Sequence, residues 1–181
     1  MGIRDVQQSV KTMLHLKEDV LTTLVFDRLL EDRQSLELGD LTINVMATPG
    51  HTPDSLTYVI GNNAFVGDTL FMPDSGSARC DFPNGSAATL YQSIQRIYQL
   101  GDNTRLFMCH DYRPQGRELA YITTVAEQKQ HNIQINASVS EQEYVQIRET
   151  RDAKLAIPRL LYPALQVNIR GGYLPAPEDN G

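Results

Sequence analysis

Apolar positions recur along this chain at two different periods, and the switches between them mark out its elements. Val6, Val10, Met13 and Leu14 fall at helical spacing within RDVQQSVKTML, which predicts an amphipathic helix near the start. A polar, mixed stretch runs on to about Arg33. There the period drops to two: Leu36 and Leu38, then Leu41, Ile43, Val45 and Ala47, alternate with polar neighbours on either side of Gly39-Asp40. That alternation predicts a hairpin with one buried face. SLTYVI at 55–60, the turn residues Gly61-Asn62-Asn63 and a returning AFVG predict a second hairpin, so that four strands follow one another.

After Gly67 comes DTLFMPDSGSARCDFPNG, too rich in Gly, Pro, Asp and Ser for a core and too long for a simple connector, which marks it as a loop that carries function. Helical spacing returns from Ser86, with Leu90, Ile94, Ile97 and Tyr98 on one face and a stop near Gly101. TRLFMC predicts a short strand leading into His110. RELAYITTVAEQKQ predicts a third helix with Leu119, Ile122 and Ala126 facing inward, and Ser140 with Glu143 forms the capping-box signature of a fourth. Pro158, Pro163, Pro175, Pro177 and two adjacent glycines predict an extended tail over 157–181. The order helix, four strands, helix, strand, helix, helix implies a mixed α/β layer rather than a bundle or a sandwich.

Composition narrows the partners. The 181 residues, 41% hydrophobic and 21% charged, suit one domain with a real core, and a formal net charge of −6 argues against nucleic acid or an anionic membrane, both of which need a positive footprint. The first 20 positions lack the apolar stretch of a signal peptide and no run is apolar enough to span a membrane, so the expected compartment is the cytoplasm. Cys80 and Cys109 have no CxxC spacing, and are expected to be reduced packing residues rather than nucleophiles.

Three candidate metal ligands stand just beyond predicted strands: His51 in TPGHTPDS, Asp68 in FVGDTLF and His110 in FMCHDY. Ligands at strand ends can converge on one edge of a sheet, and imidazole with carboxylate suits Zn(II) or Fe(II). Each also has an ordinary reading: a loop histidine after Pro-Gly, a Gly-Asp turn, a His-Asp helix cap.

Taken together, TPGHTPDSLTYVI, FVGDTLF and LFMCHDY resemble the metallo-β-lactamase superfamily. GDTLFMPDSGSARCDFPNGSAATLYQSIQRIYQL, CHDYRPQGRE, TTVAEQK and ALQVNIRGG are similar to its persulfide dioxygenases and related β-lactamase-like hydrolases, from about residue 3 to residue 181. The resemblance implies an α/β, αββα sandwich of which this chain is mainly the C-terminal half, a single partial domain over 1–181. It implies His51 and Asp68 as iron ligands, with His110 at the position that binds a second metal in dinuclear hydrolases. It also implies Arg79 and Tyr112 as residues that hold the glutathione part of a thiol or persulfide substrate. For Arg79 the ordinary alternative is an ion pair with Asp74 or Asp81, and for Tyr112 a capping or packing role.

The family's HxHxDH motif, which supplies the other iron-site histidine, is absent; His15 and His131 lack its neighbours. The chain is therefore expected to be a fragment that binds Fe(II), or alternatively Zn(II), weakly, and to expose an apolar sheet face or edge that could drive homodimer formation. Persulfide oxidation is the expected chemistry of the intact protein. The alternatives are thioester hydrolysis of the glyoxalase II kind and a catalytically silent fragment.

Overall fold

A computed structural model describes residues 2–16 and 26–177, so that residues 17–25 of the polar stretch and the last four residues lie outside the described part. The chain divides into two compact units, one of residues 30–154 and one of residues 1–29 with 155–181.

Among the described residues the larger unit holds a six-stranded sheet in sequence order: β1 (Ser35–Leu38), β2 (Leu41–Ala47), β3 (Leu56–Ile60), β4 (Asn63–Phe65), β5 (Arg105–Phe107) and β6 (Ile122–Thr124). Gly39-Asp40 and Gly61-Asn62 make the two expected tight hairpins, and both glycines sit at positive φ, where a side chain would be strained. Every neighbouring pair is antiparallel except β4 and β5, which are parallel. A parallel pair needs a crossover, and α2 (Ala87–Tyr98) supplies it. The consequence for function is directional: β2, β4 and β5 run the same way and finish at the same end of the sheet.

One face of the sheet builds the core. Met46, Val59, Ala64 and Leu106 pack with Leu90, Ile94, Ile97 and Tyr98 of α2, Val125 of α3 (Val125–His131) and Tyr144 of α4 (Glu141–Asp152). Helix α2 starts where Ser86 accepts a hydrogen bond from the Thr89 amide, and α4 starts with the expected reciprocal cap between Ser140 and Glu143.

The other face carries the row Val45, Tyr58, Phe65, Phe107 and Ile122, set side by side by the strand register. The apolar positions of the first hairpin do share one face, but it is this one, and burial fades along it from Val45 to the exposed Leu38 and Leu41 at the tip. Helices cover the opposite face, so alternation identified the face correctly and its burial only at the hairpin's base.

Two expected elements differ. RELAYITTVAEQKQ does not form one helix. Residues 117–121 carry no regular element, Ile122–Thr124 is β6, and the helix begins only at Val125. Thr124 and Glu127 cap each other reciprocally there, which fixes the start, while Leu119 and Ile122 are exposed. In the smaller unit, the tail expected to be extended contains α5 (Leu161–Asn168). Pro163 is its third residue, where an amide would have no intrahelical partner, so the proline removes nothing. The first helix, α1 (Ile3–Met13), forms as expected, with Val10 buried and the Gln7 side-chain amide donating to the Ile169 carbonyl at 2.7 Å.

Candidate metal centre

The three candidate ligands follow the three co-directional strands: His51 after β2, Asp68 after β4 and His110 after β5. Their loops are built to come together. Buried Thr48, Thr57 and Thr69 link the segments behind them, with 3.1 Å between the Thr48 and Thr57 hydroxyls and 3.3 Å from Thr69 to Thr48. Gly50 accepts from the Ser86 amide at 2.9 Å, and Ser93 donates to the Pro49 carbonyl at 2.6 Å. This docks the His51 loop on the start of α2 so closely that a Cβ on Gly50 would lie 2.4 Å from the Leu90 backbone.

Asp68 and His110 are brought together, with Oδ1 and Nε2 3.2 Å apart. The contact has the distance of an ion pair but not the alignment of a hydrogen bond, and Asp68 Oδ1 is otherwise buried with no hydrogen-bond partner. A buried carboxylate oxygen left in that state is costly, and a cation would relieve it.

His51 makes its contacts with the 79–82 segment. Its Nδ1 lies 2.7 Å from the Arg79 carbonyl oxygen, which can only accept, so Nδ1 carries a proton and, in the neutral ring, Nε2 keeps its lone pair. That is the tautomer a metal-binding imidazole requires. The ring also packs at 5.2 Å against Phe82. Among the described residues no three His, Cys, Asp or Glu side chains are gathered closely enough to hold a metal ion. The donor set suits iron or zinc, and Asp68 with His110 is its assembled part.

The residues expected to hold substrate lie on the flanking loops. Arg79 forms a two-pronged pair with Asp81 at 2.6 and 2.5 Å and stacks its guanidinium 5.0 Å from the Phe82 ring centre. Of its two ordinary partners it chose Asp81, whose hydrogen bonds raise the Arg79 pKa as the guanidinium lowers that of Asp81. Tyr112 is exposed, edge-on to Phe71 at 5.0 Å, and its phenol pKa is raised by partial desolvation and by the Asp68 charge.

The cysteines separate. Cys80 is buried, as a packing residue should be, and burial pushes its thiol up to about 12. Cys109 is exposed, which corrects its assignment to packing, and its thiol is raised by partial burial and by Asp68.

Sequence reasoning missed Arg117. It donates to both Asp74 and Asp111, and Asp111 directly follows His110. Only the GRE of CHDYRPQGRE hinted at a basic residue there, and Asp74 lies 43 positions away, beyond any spacing rule.

Comparison with known proteins matches residues 5–110 to the metallo-beta-lactamase superfamily. The chain is 52% identical to a probable metallo-hydrolase from Burkholderia pseudomallei, over 86% of this chain and 56% of that protein. It is 47% identical to glyoxylase B2 from Dictyostelium discoideum, over 99% of this chain and 62% of that protein. Human mitochondrial persulfide dioxygenase ETHE1 is 32% identical over 79% of this chain and 53% of that protein. The chain thus spans roughly half to two thirds of the length of the relatives it matches. Among solved structures, ETHE1 from Myxococcus xanthus superimposes with a TM-score of 0.71 at 36% identity, covering 80% of this chain and 60% of that one.

Proposed function

Because the chain belongs to the metallo-β-lactamase superfamily, we propose that His51, Asp68 and His110 are its contribution to a metal centre that, in the whole protein, oxidises a glutathione persulfide-type thiol with O₂. The products are sulfite and the free thiol; one water is consumed with the O₂, and protons are released. The observation that carries the reading is Asp68, whose buried, unpartnered oxygen faces His110. Likeness to the persulfide dioxygenases supports the choice of sulfur chemistry.

Iron, or zinc in the alternative, would be held by Asp68 and His110, the assembled pair, with His51 as a third donor that the described structure does not gather with them, and Fe(II) would supply the redox chemistry that lets O₂ react with a thiol sulfur. The Arg79 carbonyl holds the His51 ring with Nε2 presented. Arg79 and Tyr112 would orient the substrate: a guanidinium grips a peptide carboxylate through paired hydrogen bonds, and a phenol donates near the sulfur. A substrate carboxylate must compete with Asp81 for that guanidinium.

The second reading is a thioester hydrolase of the glyoxalase II kind, in which two metals activate a water. Its support is the closeness of Asp68 to His110 and the likeness to proteins named metallo-hydrolase and glyoxylase. O₂ uptake by the iron-loaded chain with glutathione persulfide, measured beside hydrolysis of a glutathione thioester by the zinc-loaded chain, separates the two. The proposal expects uptake that His51→Ala and Asp68→Ala abolish. Thioester hydrolysis alone establishes the second reading, and neither activity contradicts both for this chain.

A further inference from the structure

Asp74 and Asp111 stand on loops that leave the parallel strands β4 and β5, and Arg117 lies between them. Its Nε and Nη2 donate to the two oxygens of Asp74 at 2.5 and 2.8 Å. Nη1 and Nη2 donate to the two oxygens of Asp111 at 2.7 Å each, and Nη1 also reaches the Glu118 carbonyl at 3.0 Å. These bonds use every N–H a guanidinium has, and both carboxylates are gripped in two-pronged fashion. Asp111 is further tied by the Ala120 and Arg113 amides at 2.8 and 3.2 Å, and its side chain is 1% exposed.

Among the described residues no hydrogen bond or ion pair joins this clamp to a candidate ligand, yet it sets where one of them stands. Asp111 is the residue after His110, so fixing its carboxylate fixes the backbone from which the imidazole projects toward Asp68. Asp74 belongs to the same loop as Asp68, and Phe71 of that loop faces His110 and Tyr112 at 6.5 and 5.0 Å. Without the guanidinium, two carboxylates would face each other across the joint between the loops. A lysine, with one point charge, could neutralise them but could not hold both forks.

We infer that Arg117 is a positioning residue, which locks the Asp68 loop to the His110 loop and so holds His110 in metal-binding register with Asp68. The inference rests on the metal centre proposed above and adds to it a residue that is not a ligand.

The test is Co(II) titration of the full chain, followed by the visible absorption of the bound ion, for the unaltered protein, Arg117→Met, Arg117→Lys and His110→Ala, and for Arg117→Met combined with His110→Ala. His110→Ala is expected to weaken Co(II) binding. Arg117→Met is expected to weaken it on the order of tenfold, the usual size for a residue that orients a ligand. Arg117→Lys, which keeps a charge between the carboxylates and so preserves folding, should not restore it. Added to His110→Ala, Arg117→Met should cost nothing further, because its effect runs through the imidazole. Equal losses in both backgrounds, full affinity in Arg117→Met or recovery in Arg117→Lys overturns the inference and leaves the metal centre standing. Unchanged affinity in His110→Ala, or no Co(II) binding by the unaltered chain, overturns the metal role of His110 and the positioning role with it.

Discussion

Two arginines fasten the loop between β4 and α2, and they do so in opposite settings. Arg148 is 2% exposed and pairs with Asp152, itself 6% exposed, one helical turn along α4. Its Nη1 donates to the Ser77 carbonyl and to Gln134, both at 2.9 Å, while Asp152 accepts from the Cys80 amide at 2.8 Å. Ser77 is held again by Gln134 and by the Tyr144 hydroxyl. Arg79, whose carbonyl orients His51, is thereby pinned on both sides. Arg117 fastens the same loop further upstream from a half-buried position, through the solvated carboxylate of Asp74 and the buried one of Asp111, which the Arg113 and Ala120 amides continue to satisfy if the guanidinium is lost. A buried ion pair that loses one partner strands the other in a medium that cannot solvate it, whereas a partly solvated pair is relieved by water and salt. The buried fastening therefore decides whether the loop holds its path at all. The outer one decides how two finished loops are aligned.

The largest expected effect is at the buried pair. Asp152→Ala leaves Arg148 and the Cys80 amide without their partner and should destabilise the fold by about 3–5 kcal/mol in denaturant unfolding. Replacing Arg148 and Asp152 together by apolar residues should recover part of that loss. If Asp152→Ala costs no more than Arg117→Met, the contrast between the two fastenings fails.

Gly50→Ala comes next, because it disturbs the His51 loop without touching either arginine. Gly50 has φ of +137° and no space for a Cβ against Leu90, so a loss of about 1–3 kcal/mol is expected from backbone strain alone. A Tm equal to that of the unaltered protein would mean that the loop does not dock on α2 as described.

Arg117→Met should have a smaller effect on Tm, with a distinctive pH dependence. The Arg117 hydrogen bonds hold the Asp74 and Asp111 carboxyls below the usual carboxylate range. Folded-state values depressed in this way contribute stability that is fully present above the unfolded value of about 4 and is lost as pH falls through the folded values. The Tm gap between the two proteins should stay constant from about pH 5 to 7, narrow below about pH 4, and shrink with added salt. A gap that widens on acidification contradicts the clamp.

The smallest perturbation is thiol labelling. Near neutral pH, Cys109 should react in the native protein and Cys80 only when the loop opens, so Asp152→Ala should speed Cys80 modification and Arg117→Met should not. Equal rates for the two thiols in the native chain would contradict the burial of Cys80.

What the sequence revealed of all this was local. Two glycine turns, the Ser140 cap and the Leu90, Ile94, Ile97, Tyr98 stripe each carry their signal within a few residues, and each forms as expected. The T-x-x-E at Thr124 was equally available and would have placed the start of α3, but the helical spacing of Leu119, Ile122 and Ala126 competed with it. In the tail, prolines counted as breakers before their position in a first helical turn could be known. Strand-end placement of His51, Asp68 and His110 was legible because each follows an apolar run. The groups that orient them were not: the Arg79 carbonyl, the Ser77 to Asp152 network and the Arg117 clamp join positions tens of residues apart, and nothing in composition or period reports such pairings.

That Asp68 anchors a metal beside His110 can be checked by anaerobic Fe(II) titration of the purified chain beside Asp68→Ala, with free and bound iron quantified at equilibrium. Saturable binding that Asp68→Ala abolishes is expected. Iron retained equally by both proteins, or by neither, would contradict it.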